Sequence, residues 1–415
     1  GEEIHDGNFC MDGLVYPDRT VHTGLLEYKN VYRPVRVVSY DKESGELVLH
    51  NYMDFDDLKD YVKISYELTQ DGLVISKGIL SEFSVASHGE GKTNLKISVP
   101  ENGKCYLKLI YYLKKEMPLL EENHILGFDE IEVSQKDAKC QLAEKWLEKT
   151  ATDSELQVNE DDTQIHIKGR EFAYTIDRRT ALFTEMKFAG REYLNHPMEL
   201  NIWRAPTDND MYIKAEWKKA HYDKAYTRAY TTEVVQGKHG VKIVSHASVV
   251  AETVQKILDV TITWKIDASG KIDADIEATK DGEFPDLPRF GVRMFLDKKL
   301  SDARYFGMGP QESYRDKHQA ASHGLYRANV RDLHEDYIRP QENGSHYDCG
   351  YVELNNSRYG IVASAEKAFS FNASYYTQEE LEKKTHNYEL AESDSVVLCV
   401  DYALNGIGSN SCGPV

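Results

Sequence analysis

The stretch CYLKLIYYL, residues 105–113, carries apolar side chains at every second position: Cys105, Leu107, Leu109, Tyr111 and Leu113. Because successive side chains of a β-strand point to opposite faces of a sheet, this spacing predicts a strand with one buried face. The same alternation recurs in VKISYEL (62–68), NLKISVP (94–100), 165–167, 258–266 and 272–278. Frequent strands that each have one apolar face are typical of antiparallel sandwiches, so the predicted fold is mostly β.

Turn and helix signals are fewer. Three dipeptides between alternating stretches predict hairpin turns: Ser44-Gly45, Asp71-Gly72 and Ser269-Gly270. Residues 20–30 predict one short helix, and residues 138–149 carry an amphipathic stripe of Leu142, Ala143, Trp146 and Leu147. Thr377, followed three residues later by Glu380, predicts a capping box that opens another short helix.

Composition excludes several classes of function. The 415 residues carry 50 Lys+Arg against 69 Asp+Glu, a formal net charge of -19, and such a surface repels nucleic acid and anionic lipid. No apolar run approaches the ~18 residues of a membrane span. The six cysteines form no C-x-x-C pair and no zinc-ligand spacing, so we expect reduced, buried thiols. Unpaired cysteines favour the cytoplasm, and a periplasmic or secreted location stays open.

Composition along the chain also indicates where domains begin and end. A loop-and-helix segment gives way to strand pattern near residues 32–34, and residues 134–163 form a polar stretch suited to a linker. The strand block between them, about 100 residues long, is close in size to an immunoglobulin-like sandwich. The last block is long for one sandwich but fits a large two-sheet β domain.

Four segments are too irregular for generic strands. They are NFCMDGLVYPDRTVHTGLLEYK (8–29), IWRAPTDND (202–210), GMGPQESYRDKHQAA (307–321) and YIRPQENGSH (337–346). Together they resemble the C-terminal part of the large β-galactosidases of glycoside hydrolase family 2, the lactose-operon type. The endings FSFNASYYTQEELEKKTHNYEL and GIGSNSCGP resemble the same family. The resemblance covers essentially the whole chain.

The resemblance implies a domain order. Residues 1–32 would be the last loop and helix of the catalytic (β/α)8 barrel, and residues 33–135 an immunoglobulin-like β-sandwich. A linker, 136–154, would lead to the β-galactosidase small-chain domain, 155–415. The family's small-chain domain is a large galactose-mutarotase-like β-supersandwich.

The resemblance also implies a function. Such enzymes hydrolyse terminal non-reducing β-D-galactose residues in β-galactosides such as lactose, with retention, through two barrel glutamates. Both glutamates would precede this chain, so we expect no catalytic residue here, a scaffold and pocket-rim role, and an inactive fragment when isolated. The intact enzyme would bind Mg²⁺ and Na⁺, contain the missing N-terminal and barrel domains, and form a homo-oligomer.

Three candidate pocket residues follow from the resemblance. In the family, the carbonyl of a Phe and a nearby Asn side chain ligate sodium beside the sugar 6-hydroxyl, which would assign these roles to Phe9 and Asp12. Asp12 stands where many relatives have Asn, and a carboxylate would hold the cation more tightly. Cys412 stands where some members place a Trp that stacks on the substrate, which a thiol cannot do. The alternative for the first two residues is structural: Phe9 would fill a loop with an apolar side chain, and Asp12 would be a turn residue. The alternative for Cys412 is an ordinary loop thiol.

Arg204, Asp208, Asn209 and Asp210 form a dense polar cluster after an apolar stretch. We expect a bidentate Arg–carboxylate pair with an Asx turn that fixes this loop. The D-x-D spacing also suits a divalent cation, although two carboxylates alone are a weak signal for one.

Glu312, Arg315, Asp316, Glu342 and His346 lie in the other two motifs. In glycosidases, Arg and Glu side chains bind pairs of sugar hydroxyls, and in large sandwiches they equally hold long loops in place. Both readings stay open for these residues.

Two functions compete with the β-galactosidase reading. One is a stand-alone aldose-mutarotase-like domain, in which a His/Glu pair does acid–base chemistry, and no such pair can be matched here. The other is a carbohydrate-binding module, which the 27 tyrosines suit without any specific motif.

Overall fold

The computed structural model describes residues 13–148 and 156–408. In this part of the chain, 23 strands form five sheets in which every paired strand is antiparallel. The mostly β prediction is confirmed. Residues 149–154 of the predicted linker lie outside the described residues.

The first seven strands form two sheets, which we call the first sandwich. Their bounds are β1 Val35–Tyr40, β2 Glu46–Asn51, β3 Val62–Gln70, β4 Leu73–Leu80, β5 Glu90–Asn94, β6 Cys105–Leu113 and β7 Ile125–Glu132. The sheet orders are β1-β2-β5 and β4-β3-β6-β7. Leu47 and Leu49 of one sheet share a buried core with Ile64, Leu107 and Leu109 of the other. The five residues that predicted strand β6 are all buried there.

The strand predicted over 94–100 is wrong beyond Asn94, where β5 ends. Leu95, Ile97 and Val99 still contact the core of the first sandwich, but the backbone of residues 95–100 joins no sheet. The Tyr40 hydroxyl donates instead to the Leu95 carbonyl, at 2.9 Å. Alternation reports which side chains are buried, and an extended segment can bury them without pairing with a neighbour.

The remaining sixteen strands form what we call the large β-region. Their bounds are β8 Gln157–Glu160, β9 Gln164–Lys168, β10 Phe172–Asp177, β11 Leu182–Phe188, β12 Arg191–Glu192, β13 Leu194–Asn201, β14 Tyr226–Gln236, β15 Gly240–Ala251, β16 Val254–Asp267, β17 Ile272–Lys280, β18 Arg289–Asp297, β19 Asp302–Gly309, β20 Ser322–Asn329, β21 Ser345–Asn355, β22 Gly360–Ser374 and β23 Ser395–Leu404.

These strands form sheets of five, four and seven strands around one continuous buried core. The seven-stranded sheet has the order β13-β18-β23-β22-β21-β19-β20, so β23 lies between β18 and β22. The last strand of the described residues, β23, is therefore an interior strand of the largest sheet.

The α-helices are short: α1 Thr23–Val31, α2 Leu58–Tyr61, α3 Gln141–Leu147, α4 Ile213–Lys219 and α5 Gln378–Lys383. Within the described residues, four 3-10 helices accompany them: Asp208–Asp210, Tyr222–Lys224, Val330–Leu333 and Asn387–Glu389. The helix predicted over 20–30 is confirmed as α1. The amphipathic stripe predicted in residues 138–149 lies on α3. Ala143 is buried there but Trp146 is half exposed, so only part of the stripe is buried.

The predicted capping box at α5 forms only in part. The Thr377 hydroxyl accepts a hydrogen bond from the Glu380 backbone N–H at 3.1 Å, as an N-cap residue does. The Glu380 carboxylate does not return the bond, because it accepts from the Ala391 backbone N–H at 2.9 Å. A tertiary contact thus takes the place of the local one.

Four cysteines, Cys105, Cys140, Cys349 and Cys399, are buried and form no disulfide within the described residues. Burial raises the pKa of the Cys140 thiol to about 11 and that of Cys399 to about 12, so both stay protonated at neutral pH. None of the helices in the described ranges combines the length and apolarity needed to cross a bilayer.

His323 of β20 joins the two regions. Its Nδ1 lies 2.7 Å from Glu130 Oε1 of β7, and its Nε2 lies 2.9 Å from Asp348 Oδ2 of β21. Its ring stacks on Tyr106 of β6, with centroids 3.9 Å apart. Burial lowers the pKa of His323, but the hydrogen bonds with Asp348 and Glu130 outweigh it and raise the pKa to about 9. An imidazolium between two carboxylates therefore connects the first sandwich with the large β-region.

All three predicted hairpin turns connect paired strands, β1 with β2, β3 with β4 and β16 with β17. At the second, Gly72 has a φ of +82° and faces β20: a Cβ there would lie 2.6 Å from the Leu325 nitrogen. The turn is therefore part of the contact between the two regions.

We expect Gly72→Ala to lower the free energy of unfolding by more than Gly190→Ala does. Both glycines have positive φ, which costs an alanine roughly 1 kcal/mol, but a Cβ at Gly190 meets no atom within 4 Å. Only Gly72→Ala also pushes β20 away. Urea denaturation of the two variants measures the difference, and equal losses would show that the close approach at Leu325 carries no cost.

Candidate functional site

The polar motifs picked out in the sequence come together at one end of the large β-region. Four loops meet there, 202–210, 311–320, 337–344 and 405–408. We call residues 311–320 the anchor loop, because it contacts both the segment 13–31 and the loop 405–408.

Arg204 follows β13 and is fully buried. Its Nε and Nη2 donate to Asp210 Oδ2 and Oδ1 at 3.1 and 2.7 Å, so the predicted bidentate pair is present. The predicted Asx turn is absent from this loop, where Asp210 instead accepts from the Thr207 backbone N–H within a 3-10 helix. Arg204 also donates to the carbonyls of Asn405 and Gly406, each at 2.9 Å. The guanidinium thus holds the loop that follows β23.

Asn209 and Asp208 extend the same contact in two directions. The Asn209 amide donates to the Ile407 carbonyl at 2.7 Å. Asp208 accepts from the Gln341 amide at 3.1 Å and pairs with Arg339 at 3.4 Å. The cluster predicted from IWRAPTDND therefore binds neighbouring loops.

Asp316 of the anchor loop holds 405–408 from the other side. Its two carboxylate oxygens accept from the backbone N–H groups of Ile407 and Gly408, at 3.0 and 2.8 Å. Gly406 permits this approach, because a Cβ at that position would lie 2.3 Å from Asp316 Oδ2. Residues 405–408 are therefore fixed through both their carbonyl and their N–H groups.

Glu312 of the anchor loop is buried in an ion pair. Its Oε1 lies 2.5 Å from Lys317 Nζ, and its Oε2 accepts from the Gly344 backbone N–H at 2.8 Å. Burial raises the pKa of Glu312, but Lys317 and the Tyr337 hydroxyl outweigh it and hold the pKa below its usual value. Lys317 also donates to the Thr23 hydroxyl at 2.6 Å, so this pair reaches into the segment 13–31.

Helix α1 binds the same loop through side chains that sequence reasoning did not single out. The Glu27 carboxylate accepts from the backbone N–H groups of Gln319 and Ala320, both at 2.7 Å. Asn30 donates to the Gln319 carbonyl at 2.8 Å. Further toward the start, the Tyr16 hydroxyl donates to Glu335 at 2.5 Å. The segment 13–31 is thereby fixed on the large β-region.

A second cluster of buried charged side chains joins strands β18 and β23 of the seven-stranded sheet. Arg289 of β18 donates to both carboxylate oxygens of Asp401 of β23, at 3.2 and 2.7 Å, and to Glu342 at 3.4 Å. Burial raises the pKa values of Glu342 and Asp401, although Arg289 opposes it. Sequence reasoning missed Arg289 and Asp401. The available signal was a charged residue inside an otherwise apolar strand, as in VVLCVDYAL.

His346 and Arg315 do not join this network. His346 is buried, contacts the Met308 carbonyl through Nδ1 at 3.2 Å, and stacks on Phe371. Burial lowers its pKa to about 4, so the ring is neutral. Arg315 is exposed and makes no hydrogen bond or ion pair to a described residue. Because His346 and Glu342 are both enclosed, they cannot serve as an acid–base pair for a sugar in this arrangement.

Phe9, Asp12 and Cys412 lie outside the described residues, so their predicted roles stay predictions. Within residues 13–148 and 156–408, no three His, Cys, Asp or Glu side chains lie close enough together to share a metal ion. The D-x-D carboxylates of Asp208 and Asp210 are instead engaged with Arg339 and Arg204.

Comparisons with known proteins match both parts of the chain. The family described as the β-galactosidase small chain matches residues 168–415, and the family described as β-galactosidase domain 4 matches residues 47–134. The chain is 44% identical to a β-galactosidase of Actinobacillus pleuropneumoniae, covering 100% of the chain and 40% of the relative. It is 32% identical to one of Staphylococcus xylosus, covering 100% and 41%. The chain thus spans about two fifths of the length of these relatives.

Proposed function

The chain belongs to the β-galactosidase small-chain family, and on that premise we propose that it holds the rim of the galactose-binding pocket in a β-galactosidase. The proposed reaction is hydrolysis of terminal non-reducing β-D-galactose residues in β-galactosides such as lactose. Retaining hydrolysis needs two carboxyl groups about 5–5.5 Å apart, and we assign both to the (β/α)8 barrel.

The contacts of the anchor loop support this role. It binds the segment 13–31 through Thr23, and it binds the loop 405–408 through Asp316. The first segment continues from the sequence that holds Phe9 and Asp12, and the second leads to Cys412. The anchor loop therefore fixes both described segments, 13–31 and 405–408, that adjoin the three candidate pocket residues in sequence.

The chemistry of this chain is therefore positioning. A charged hydrogen-bond partner such as Asp316 or Arg204 keeps a loop in one conformation, and a preformed rim spares the substrate the entropy of ordering it. The Mg²⁺ and Na⁺ that the family implies would supply charge stabilisation when bound. We assign the sodium to Phe9 and Asp12.

The proposal extends to organisation and location. We assign residues 1–32 to the end of the barrel, 33–135 to an immunoglobulin-like sandwich, 136–154 to a linker and 155–415 to the supersandwich. The buried, unpaired cysteines favour a cytoplasmic protein.

A chimera tests the proposed role. This chain replaces the matching region of the A. pleuropneumoniae β-galactosidase, and hydrolysis of a chromogenic β-galactoside is measured. We expect an active enzyme in which Asp316→Ala lowers kcat/KM about tenfold, because two charge-assisted hydrogen bonds to 405–408 are lost. Asp259→Ala, which removes an exposed carboxylate paired with Lys256, should leave kcat/KM unchanged.

The thermal midpoint of each chimera separates positioning from folding. An Asp316→Ala chimera that melts like its parent and retains full kcat/KM would contradict the rim role. The isolated 415-residue chain should hydrolyse no chromogenic β-galactoside, and measurable turnover by it would overturn the assignment of both catalytic carboxyl groups to the barrel.

A further inference from the structure

A cleft of about 370 Å³ lies between the first sandwich and the large β-region. Residues of β6 and β7 line it from the first sandwich, and residues of the anchor loop, β19, β20 and β21 line it from the large β-region. Its lining includes Arg33, Glu130, Glu132, His318, Tyr347 and Asp348. Arg204 and Asp316, which hold 405–408, do not line it, so the cleft is distinct from the rim described above. Its volume is near the lower end of the range for small-molecule sites.

The charges of the cleft favour a neutral ligand. Four carboxylates line it: Asp129, Glu130, Glu132 and Asp348. Arg33 pairs with the first at 2.5 Å, Lys104 pairs with the third at 3.1 Å, and His323 lies between the other two. An organic cation would therefore compete with partners already in place, and a phosphate would meet four negative charges. A metal ion has no set of ligands here, since no three His, Cys, Asp or Glu side chains of the described residues are placed to share one.

Three polar groups that line the cleft have no hydrogen-bond partner among the described residues. The Nε of Arg33 is buried and unpaired, whereas both Nη atoms donate to oxygen atoms of the chain. The Nδ1 of His318 lies 2.9 Å from the Tyr314 carbonyl, which can only accept, so Nε2 of the neutral ring is an acceptor. The Tyr347 hydroxyl can both donate and accept. A ligand with several hydroxyl groups would suit this mixture of donors and acceptors.

The cleft also offers aromatic surface. The rings of His318 and Tyr347 stack, with centroids 5.9 Å apart and planes at 27°. Both side chains are half-buried, so the pair is rigid on one side and open on the other. A sugar ring has C–H groups on its faces, which pack on aromatic rings, and hydroxyl groups around its edge. Stacked rings beside unpaired polar groups therefore match both parts of a sugar.

We propose that this cleft binds a neutral saccharide of one or two rings. The sugar packs its C–H face on the His318–Tyr347 pair and forms hydrogen bonds with His318 Nε2, the Tyr347 hydroxyl and Arg33 Nε. The small volume sets the limit on the number of rings. Because every group involved belongs to described residues outside the pocket rim, the site does not depend on the proposed role of the chain in hydrolysis.

Titration of the 415-residue chain with D-galactose, D-glucose and lactose, followed by ligand-observed NMR, tests the proposal. We expect a Kd in the millimolar range for at least one of the sugars, since a small ligand makes few contacts. Tyr347→Phe keeps the ring and removes the hydroxyl, and should raise that Kd about fivefold. His318→Ala removes a stacking surface and an acceptor, and should raise it about tenfold. Tyr388→Phe makes the matched change in a tyrosine that stacks on His386 outside the cleft, and should bind like the parent.

Two further probes test the charge argument. Inorganic phosphate and putrescine should each bind at least about tenfold more weakly than the best of the three sugars. The thermal midpoint of each variant shows whether weaker binding reflects a lost contact or a lost fold, and Tyr347→Phe is expected to melt like the parent. A parent chain that binds none of the sugars at about 100 mM, sugar binding that survives both cleft substitutions, or a preference for phosphate or putrescine would each overturn the assignment.

Discussion

Arg289→Leu is expected to lower the free energy of unfolding by roughly 3–5 kcal/mol. The guanidinium is fully buried and pairs with Asp401 and Glu342, which are themselves enclosed. Leucine removes the cation that is paired with Asp401 and Glu342, so two carboxyl groups remain in the core without a salt-bridge partner among the described residues. Urea denaturation at neutral pH measures the loss.

Protonation should relieve part of that loss. In the variant, the unpaired carboxyl groups of Asp401 and Glu342 take up protons as the pH falls, and a neutral carboxyl is less costly to bury than a charged one. The variant should therefore recover stability relative to the parent at acidic pH. Arg304→Leu, which removes an exposed guanidinium 3.7 Å from Asp302, should cost less than 1 kcal/mol, as surface pairs do. Equal losses for the two variants would contradict a central role for Arg289.

The contact between the first sandwich and the large β-region should weaken in alkaline solution. The pKa of His323 is about 9 in the fold and ~6.5 in an unfolded chain. A raised folded pKa contributes stability that is fully present below pH ~6.5 and is lost as the pH rises through 9, an amount of roughly 3 kcal/mol. Tyr106, which stacks on the ring, has its pKa raised by burial and stays neutral over this range.

His323→Gln isolates this effect from other titrating groups. Glutamine keeps a polar side chain between Glu130 and Asp348 but does not titrate. The stability difference between parent and variant, measured by urea denaturation across the pH range, should shrink by roughly 3 kcal/mol from pH 6.5 to above pH 9. A difference that stays constant with pH would show that His323 is uncharged in the fold.

Local pattern was sufficient to predict the strands with one apolar face and the Asp-Gly hairpin at β3–β4. It failed where tertiary contacts decide the outcome. Leu95, Ile97 and Val99 alternate like a strand yet pair with none, because alternation follows burial alone. Glu380 likewise leaves its local cap and accepts from the backbone N–H of Ala391, which follows 11 residues later and beyond the end of α5.

In the candidate site, too, local contacts could be predicted from the sequence and contacts between distant residues could not. The Arg204–Asp210 pair spans six residues, and its composition alone indicated a bidentate contact. Asp316 and Gly408 are 92 residues apart, and no local pattern links a carboxylate to a backbone N–H group at that separation. The role of residues 311–320 as a shared attachment is a property of the fold, visible only when distant loops are brought together.

The place of β23 has a consequence for synthesis. Residues 395–404 pair on both sides, with β18 and with β22, so the largest sheet cannot close until they have left the ribosome. Until then, two incomplete half-sheets expose apolar strands, the kind of surface that aggregates or is captured by chaperones. Because these pairings join residues far apart in sequence, their formation should be slow. A polypeptide that terminates before residue 395 would be expected to be degraded in the cell.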